Sequence, residues 1–162
     1  MTTSDHVRDV MTKGLVTVSP DVTLLDAQKL FGAHRFHHLP VLEGDVLVGV
    51  LSDRDILRSL SPFLDTLAER TQDLDTMRRR VHSVMSRKLV VIDAEADVAM
   101  AAQTMLASRV SCLPVLSQQK LVGIITTRDM LRWVVGQGRG ALPPASSRGA
   151  RQAVRTTPRR RT

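Results

Sequence analysis

Apolar positions along this chain follow two periods, helical and alternating, and the order in which those periods succeed one another is written twice. Val7, Val10 and Met11 stand at helical spacing behind a polar leader of residues 1–5. Leu15-Val16-Thr17-Val18 is β-rich and ends at the turn signal Ser19-Pro20-Asp21. Thr23, three residues ahead of Asp26, has the form of an N-cap with an acid at N3. It opens a predicted helix to about Arg35, with Leu24, Ala27, Leu30, Phe31 and His34 along one side. Apolar runs at 38–42 and 46–51, joined by Glu43-Gly44-Asp45, predict a hairpin, and Ser52 then ends a strand and starts a helix to about Leu60. The predicted unit is strand, helix, strand, strand, helix.

A shift of 74 residues superimposes Val7 to Leu60 on Val81 to Val134 without a gap. Identities include Val10/Val84, Met11/Met85, Leu15/Leu89, Val16/Val90, Arg35/Arg109, the run Leu39-Pro40-Val41-Leu42 with Leu113-Pro114-Val115-Leu116, and Leu47-Val48-Gly49 with Leu121-Val122-Gly123. The chain is a duplication, so the second half predicts a helical turn at 81–85, a strand at 89–92, a helix begun by Asp97, a hairpin at 112–126 and a last helix at 127–135. Between the halves, Ser61-Pro62 starts a helix, and Phe63, Leu64 and Leu67, then Leu74, Met77 and Val81, carry an apolar face across a polar break. The expected fold is therefore α+β: two pseudo-symmetric repeats at 7–60 and 81–135, each a small sheet flanked by helices, joined by a helical linker at 61–80. Halves of about fifty residues have marginal cores alone and should pack on each other.

Composition changes this picture in three places. The net charge of +7 suggests an anionic partner until the charges are located: residues 136–162 hold seven Arg and no acid, leaving 16 basic against 16 acidic residues elsewhere. That Arg-, Gly-, Pro- and Ser-rich tail cannot bury enough apolar area to offset its ordering entropy and is expected to be disordered. Aromatics are 2% of the chain, so the core rests on aliphatic residues and few rings are free to stack on bases. The single Cys112 fits a reducing compartment, and no apolar run suits a leader or a membrane span, which points to a cytoplasmic protein.

The candidate chemistry lies where strand passes into helix. Gly49-Val50-Leu51-Ser52-Asp53-Arg54-Asp55 returns as Gly123-Ile124-Ile125-Thr126-Thr127-Arg128-Asp129. Ser/Thr-x-x-Asp resembles a capping box and needs no ligand. The same atoms also suit a phosphate at a helix start, with the carboxylate free for ribose hydroxyls and the glycine admitting a second backbone or a flat base. Spacing alone does not choose between these. Arg54 and Arg128 either neutralise phosphate or are solvated cations.

The whole pattern resembles tandem cystathionine-β-synthase (CBS) domains, the pair called a Bateman module. Val-Met-Thr and Val-Met-Ser at 10–12 and 84–86, His-Leu-Pro-Val and Cys-Leu-Pro-Val, and the doubled Gly-x-x-Ser/Thr-x-x-Asp carry the resemblance across residues 7–135. It implies a nucleotide-binding regulatory module, energy sensing included, whose inter-repeat cleft takes AMP, ADP, ATP or S-adenosylmethionine. It implies phosphate contacts from Ser52 and Thr126, ribose contacts from Asp55 and Asp129, and a base held by Val16, Thr17, Pro40 and Val41, with Val90, Val91, Pro114 and Val115. A homodimer is the default assembly of such pairs.

Other residues are read more plainly. His34, His37 and His38 invite a metal, but Ser108, Ser111 and Cys112 occupy those positions in the second repeat and no acid cluster completes a set, so no metal is expected. One of His37 and His38 should edge the cleft. Cys112 reads as a small core residue, and Trp133, in place of Ser59, as a dimer contact or packing at the sheet end. No nucleophile has a plausible base, which argues against an enzyme and for a module that signals to a protein partner. The alternatives are nucleic-acid association through the Arg-rich tail and a purely structural dimerisation module.

Overall fold

The computed structural model describes residues 5–60 and 75–138. Most of the predicted linker and the Arg-rich tail lie outside the described residues. Repeat 1 contains α2 (Leu24–Ala33), β1 (His38–Glu43), β2 (Val46–Ser52) and α3 (Asp53–Ser59), after a short α1 (Val7–Val10). Repeat 2 contains a 3-10 turn (Val81–Ser83), β3 (Ile92–Asp93), α4 (Val98–Ser108), β4 (Cys112–Ser117), β5 (Lys120–Thr126) and α5 (Thr127–Gly138). The mixed α and β architecture is the one expected. Thr23 caps α2 as its spacing predicts, its hydroxyl accepting from Asp26 N–H at 3.2 Å and donating to Asp26 Oδ2 at 2.8 Å.

The two hairpins are copies in register. His38 pairs with Ser52 and Val41 with Gly49; 74 residues later Cys112 pairs with Thr126 and Val115 with Gly123, with a register shift at the same place in each. The strand expected at 15–18 is corrected to a single parallel bridge, Val18 to Val41, and that expected at 89–92 to the two residues of β3. Proline explains both. Val18 N–H donates to the Pro40 carbonyl and Leu42 N–H to the Val18 carbonyl, but the next rungs of a parallel ladder would need N–H groups at Pro40 and Pro20. In repeat 2, Ala94 replaces Pro20; its N–H reaches the Leu116 carbonyl at 2.9 Å and the ladder runs one residue further. Pro114 stops it on the other side as Pro40 does.

The sequence repeat and the packing unit do not coincide, because each repeat's leader crosses to the other repeat. Thr12 and Ile124 exchange backbone hydrogen bonds at 2.9 and 3.1 Å; Ser86 and Val50 do the same at 2.9 and 3.0 Å. Val7 N–H donates to the Ala96 carbonyl and Val81 N–H to the Val22 carbonyl, each at 2.8 Å. Val81 and Met85 therefore complete the core of Leu24, Leu39, Leu51 and Ile56, while Val7, with Val10 and Met11 at its edge, completes the core of Leu113, Val115 and Ile125. Val7 and Val81 are wholly buried, each worth about 1.5–3 kcal/mol of apolar burial.

Gly49 and Gly123 make these crossings possible. A Cβ on Gly49 would stand 2.6 Å from Met85 Sδ and 3.0 Å from the Ser86 carbonyl oxygen; one on Gly123 would collide with Met11 Sδ and lie 3.1 Å from the Thr12 carbonyl oxygen. Gly32, inside α2, has open space around it. Gly49→Ala is thus expected to cost about 1–3 kcal/mol through overpacking, while Gly32→Ala stabilises by up to about 1 kcal/mol through helix propensity. Thermal melts of the two variants should shift in opposite directions, and equal shifts would remove the crossing as the reason for Gly49.

Candidate functional site

Both signatures form the capping box that their spacing allows. The Ser52 hydroxyl donates to Asp55 Oδ2 at 2.6 Å and accepts from Asp55 N–H at 3.2 Å, while Ser52 N–H donates to the same Oδ2 at 2.9 Å. Thr126 and Asp129 repeat this at 2.7, 3.3 and 2.9 Å. Each box occupies one carboxylate oxygen. Oδ1 of Asp55 accepts no hydrogen bond among the described residues, and Oδ1 of Asp129 lies 3.7 Å from Arg132 Nη1. Each hydroxyl has one proton, so an incoming phosphate oxygen would take it in place of the carboxylate while the N–H contacts keep the helix start intact.

The crossed leaders set each signature against the opposite repeat. The cleft at Ser52, about 640 Å³, is walled by Leu89, Val90 and Pro114 of repeat 2, with Met105 and Cys112 on the same side. The cleft at Thr126, about 730 Å³, is walled by Thr12 of the crossing leader and by His34, Phe36, His37 and His38 of repeat 1. Both clefts are lined by His38, Ser52, Arg54, Ser111 and Thr127, so they adjoin. Arg54 stands between them, and Arg128 lines the Thr126 cleft.

Not all the expected base contacts face these clefts. Val90 and Pro114 line the Ser52 cleft, whereas Val91 does not and is turned to solvent. Val41 and Val115 are wholly buried in the two cores; beside Val115, Pro114 reaches the Ser52 cleft, whereas neither neighbour of Val41 lines a cleft. Val16 packs against the first core, Pro40 is buried, and Thr17 lines a separate depression with Ser19 and Asp21. On the Thr126 side the segment His34–His38 stands where an aliphatic wall was expected. Arg132, Phe36 and Leu89 were missed as lining residues; Leu89 had a usable signal, being identical to Leu15 across the repeat.

His37 and His38 both line the Thr126 cleft. His37 Nδ1 is 2.7 Å from Asp53 Oδ2, and His38 Nε2 is 3.1 Å from Ser111 Oγ, a contact between repeats. Burial holds His38 below the ordinary imidazole range, against the pull of Asp53. His34 stacks on Phe36 with ring centroids 5.1 Å apart, and Phe31 meets Phe36 edge-on at 5.8 Å. Trp133 Nε1 donates to Asp5 Oδ2 at 2.6 Å, tying α5 to the leader. Among the described residues, no three His, Cys, Asp or Glu gather as metal ligands.

The family model for the CBS domain matches residues 7–62 and 81–136. A CBS domain-containing protein of Dictyostelium discoideum is 38% identical over 130 residues, covering 77% of this chain and 88% of its own length. The CBS domain-containing protein YhcV of Bacillus subtilis is 35% identical over 125 residues, covering 76% and 81%. Among solved structures, the CBS domain pair of protein MJ0100 in complex with 5-methylthioadenosine and S-adenosyl-L-methionine superimposes with a TM-score of 0.69 at 23% identity, over 82% of this chain and 98% of that one. A putative acetoin utilization protein (AcuB) of Vibrio cholerae gives 0.69 at 25% identity, over 86% and 98%.

The Ser52 cleft includes a thiol whose state reports its burial. Desolvation, with the charge of Asp55 adding to it, pushes the Cys112 thiol up to about 12, so it is neutral across the physiological range. Reaction with a thiol-specific disulfide reagent near pH 8 is expected to be slower in the native protein than in the denatured one by on the order of 100-fold. Comparable rates would mean that Cys112 is open to solvent.

Proposed function

The chain belongs to the CBS-domain family, as a tandem pair, and from that premise we propose that it is a regulatory module binding an adenosine-containing ligand, AMP, ADP, ATP or S-adenosylmethionine, between its repeats. The observation that carries this reading is the Ser52 cleft. One side offers a hydroxyl, a carboxylate oxygen without a hydrogen bond among the described residues and the Arg54 guanidinium; the other offers Leu89, Val90 and Pro114. A nucleoside has the matching faces: a flat, largely apolar base, a ribose diol that donates to carboxylate, and a phosphate or other charged substituent. The volume falls within the range of roughly 300–1,000 Å³ usual for small-molecule sites. The MJ0100 pair, whose structure holds two adenosyl compounds, lends support through its shared fold.

Because the two walls of the cleft belong to different repeats, a bound ligand touches both and favours the relative packing that fits it best. A ligand shifts such an equilibrium only by its difference in affinity for the two arrangements. The output then passes to a protein partner. Leu57 on α3 and Leu131, Val134 and Val135 on α5 are exposed, and burial of these side chains in a homodimer is the assembly this reading favours. A cytoplasmic setting, inferred from the single Cys112, goes with it; among the described residues no helix is long and apolar enough to cross a membrane.

An enzymatic reading has a specific weakness. His38 and Ser111 form the one serine–histidine contact among the described residues, but the carboxylate beside them, Asp53, bonds to His37 and leaves His38 without an orienting partner. The binding reading is checked by thermal shift with AMP, ADP, ATP and S-adenosylmethionine. A ligand at about a hundred times its dissociation constant adds roughly 2.7 kcal/mol to stability, and Asp55→Ala is expected to abolish that gain while itself costing about 0.5–2 kcal/mol as a lost cap. If no ligand shifts the melt at millimolar concentration, the signatures are caps alone and the module is a structural dimerisation unit.

A further inference from the structure

The two clefts descend from one duplicated sequence, yet they offer different chemistry. Four guanidiniums line the Thr126 cleft, those of Arg35, Arg54, Arg128 and Arg132, against two carboxylates, Asp53 and Asp129. Both carboxylates are engaged, Asp53 by His37 at 2.7 Å and Asp129 by Thr126 and Arg132. Arg35, Arg54 and Arg128 have no carboxylate partner among the described residues, although they reach this one cavity from three elements: the segment before β1, the start of α3 and the first turn of α5. Unpaired cations gathered in a concave site repel one another and raise the local concentration of anions.

The aliphatic wall of the Ser52 cleft has no counterpart in this cleft, whose apolar lining comes from Phe36 and Ile124. Leu89, Val90 and Pro114 wall the Ser52 cleft, but their counterparts Leu15, Val16 and Pro40 do not line the Thr126 cleft. In their stead stand His34, His37 and His38, whose counterparts in repeat 2 are Ser108, Ser111 and Cys112. Three of the five histidines of the chain thus face a cavity already rich in arginine. With neutral imidazoles the lining has two positive charges in excess, and protonation of the three adds up to three more. The neighbourhood of the Ser52 cleft is also cationic, with Arg58, Lys88 and Arg109 beside Arg54, but His38 is its only histidine.

We infer that the Thr126 cleft is a proton-linked polyphosphate site, taking a chain of phosphates through Arg54, Arg128 and the His34–His38 segment with uptake of protons by the imidazoles. The inference deepens the reading of these clefts as ligand sites but does not depend on an adenosine group. Its sign follows from electrostatics: an anion in the cleft favours charged imidazole, so binding takes up protons and affinity rises as pH falls. Burial holds His38 below the ordinary imidazole range. The charges that act on it come from α3, where Asp53 and Asp55 favour its protonation and Arg54 opposes it, and from the adjacent His37, which also opposes it. From α5, Arg128, Asp129 and Arg132 line the same cavity.

The test is calorimetric titration of the full chain with inorganic tripolyphosphate at about pH 6 and about pH 8, in buffers of different ionisation enthalpy so that proton uptake is counted. Tripolyphosphate is expected to bind tenfold or more tightly at the lower pH with net proton uptake. The probe loses negative charge on acidification and the arginines of the tail do not titrate, so neither produces this trend. Arg128→Gln is expected to weaken binding at least tenfold at the lower pH. His38→Asn and His37→Asn, each checked by its melt for folding, are expected to flatten the pH dependence. Affinity that is flat with pH, or unchanged by Arg128→Gln, overturns the inference and assigns the binding to the tail or to the Ser52 cleft. AMP and S-adenosylmethionine titrated in parallel separate the two readings. If they bind and tripolyphosphate does not, the adenosine reading stands and the polyphosphate site falls; the reverse result removes the adenosine and keeps the site.

Discussion

The reciprocal crossing of the two leaders is the constraint on which the rest of this structure depends. Neither repeat has a finished core by itself: Val81 and Met85 fill one, Val7 with Met11 the other. Four backbone hydrogen bonds fix the crossing points, two between Thr12 and Ile124 and two between Ser86 and Val50. The absence of a side chain at Gly49 and Gly123 lets a methionine lie against each strand there. Small domains bury too little surface to be independently secure, and exchanging a segment makes each core depend on the other repeat. The same exchange makes the pair one cooperative object, since separating the repeats would strip an element from each core.

The clefts follow from that exchange. Thr12 and Ser86, which end the two crossings, each line the cleft opened beside the strand they pair with. Gly49 and Gly123 sit in the ligand-signature motif, but their space is filled by methionine and backbone; what they contribute is the packing that brings a wall of the opposite repeat up to the signature. The capping boxes have a similar double character. The hydrogen bonds of Ser52 with Asp55 and of Thr126 with Asp129 start their helices with no ligand present, and the same atoms are the polar edge of each cleft. Structure and recognition draw on one set of groups, which is why local spacing could not separate them.

What the sequence made legible was whatever is local or duplicated. The hairpins, the Thr23 cap, both signatures and the repeat itself were readable because turn residues, caps and a 74-residue shift leave marks in the chain. The strands expected before each helix were over-read because β-rich composition was weighed without register: only once Val18 is known to face Val41 does Pro40 become the place where a ladder stops. The exchange of leaders could not be read at all. Two leaders with apolar residues at the same positions suit two cores of similar aliphatic composition in either pairing, so the apolar pattern is the same whether they cross or not. The resemblance placed Val41 and Val115 at a cleft when the pleat turns them into the cores, and Leu89 and Phe36 were overlooked as lining residues, although one of His37 and His38 was expected at the cleft edge.

Duplication begins as symmetry, so the positions where the halves differ carry the most information about use. Four of the differences stand on the Thr126 side. Histidines stand at 34, 37 and 38 against Ser108, Ser111 and Cys112, and Trp133 against Ser59. Trp133 bonds to Asp5, whose counterpart is Arg79, so a side-chain tie from leader to closing helix is made in one half only among the described residues. That tie joins the leader that carries Thr12 to α5, on one side of the Thr126 cleft. The Ser52 cleft has an aliphatic wall and no such tie among the described residues; its fit depends on the packing of the repeats themselves. A cleft lined by cations selects by charge, whereas one with an aliphatic wall selects by the shape of an apolar face. The two halves of one duplicated sequence have thereby acquired different physical properties without a change of fold.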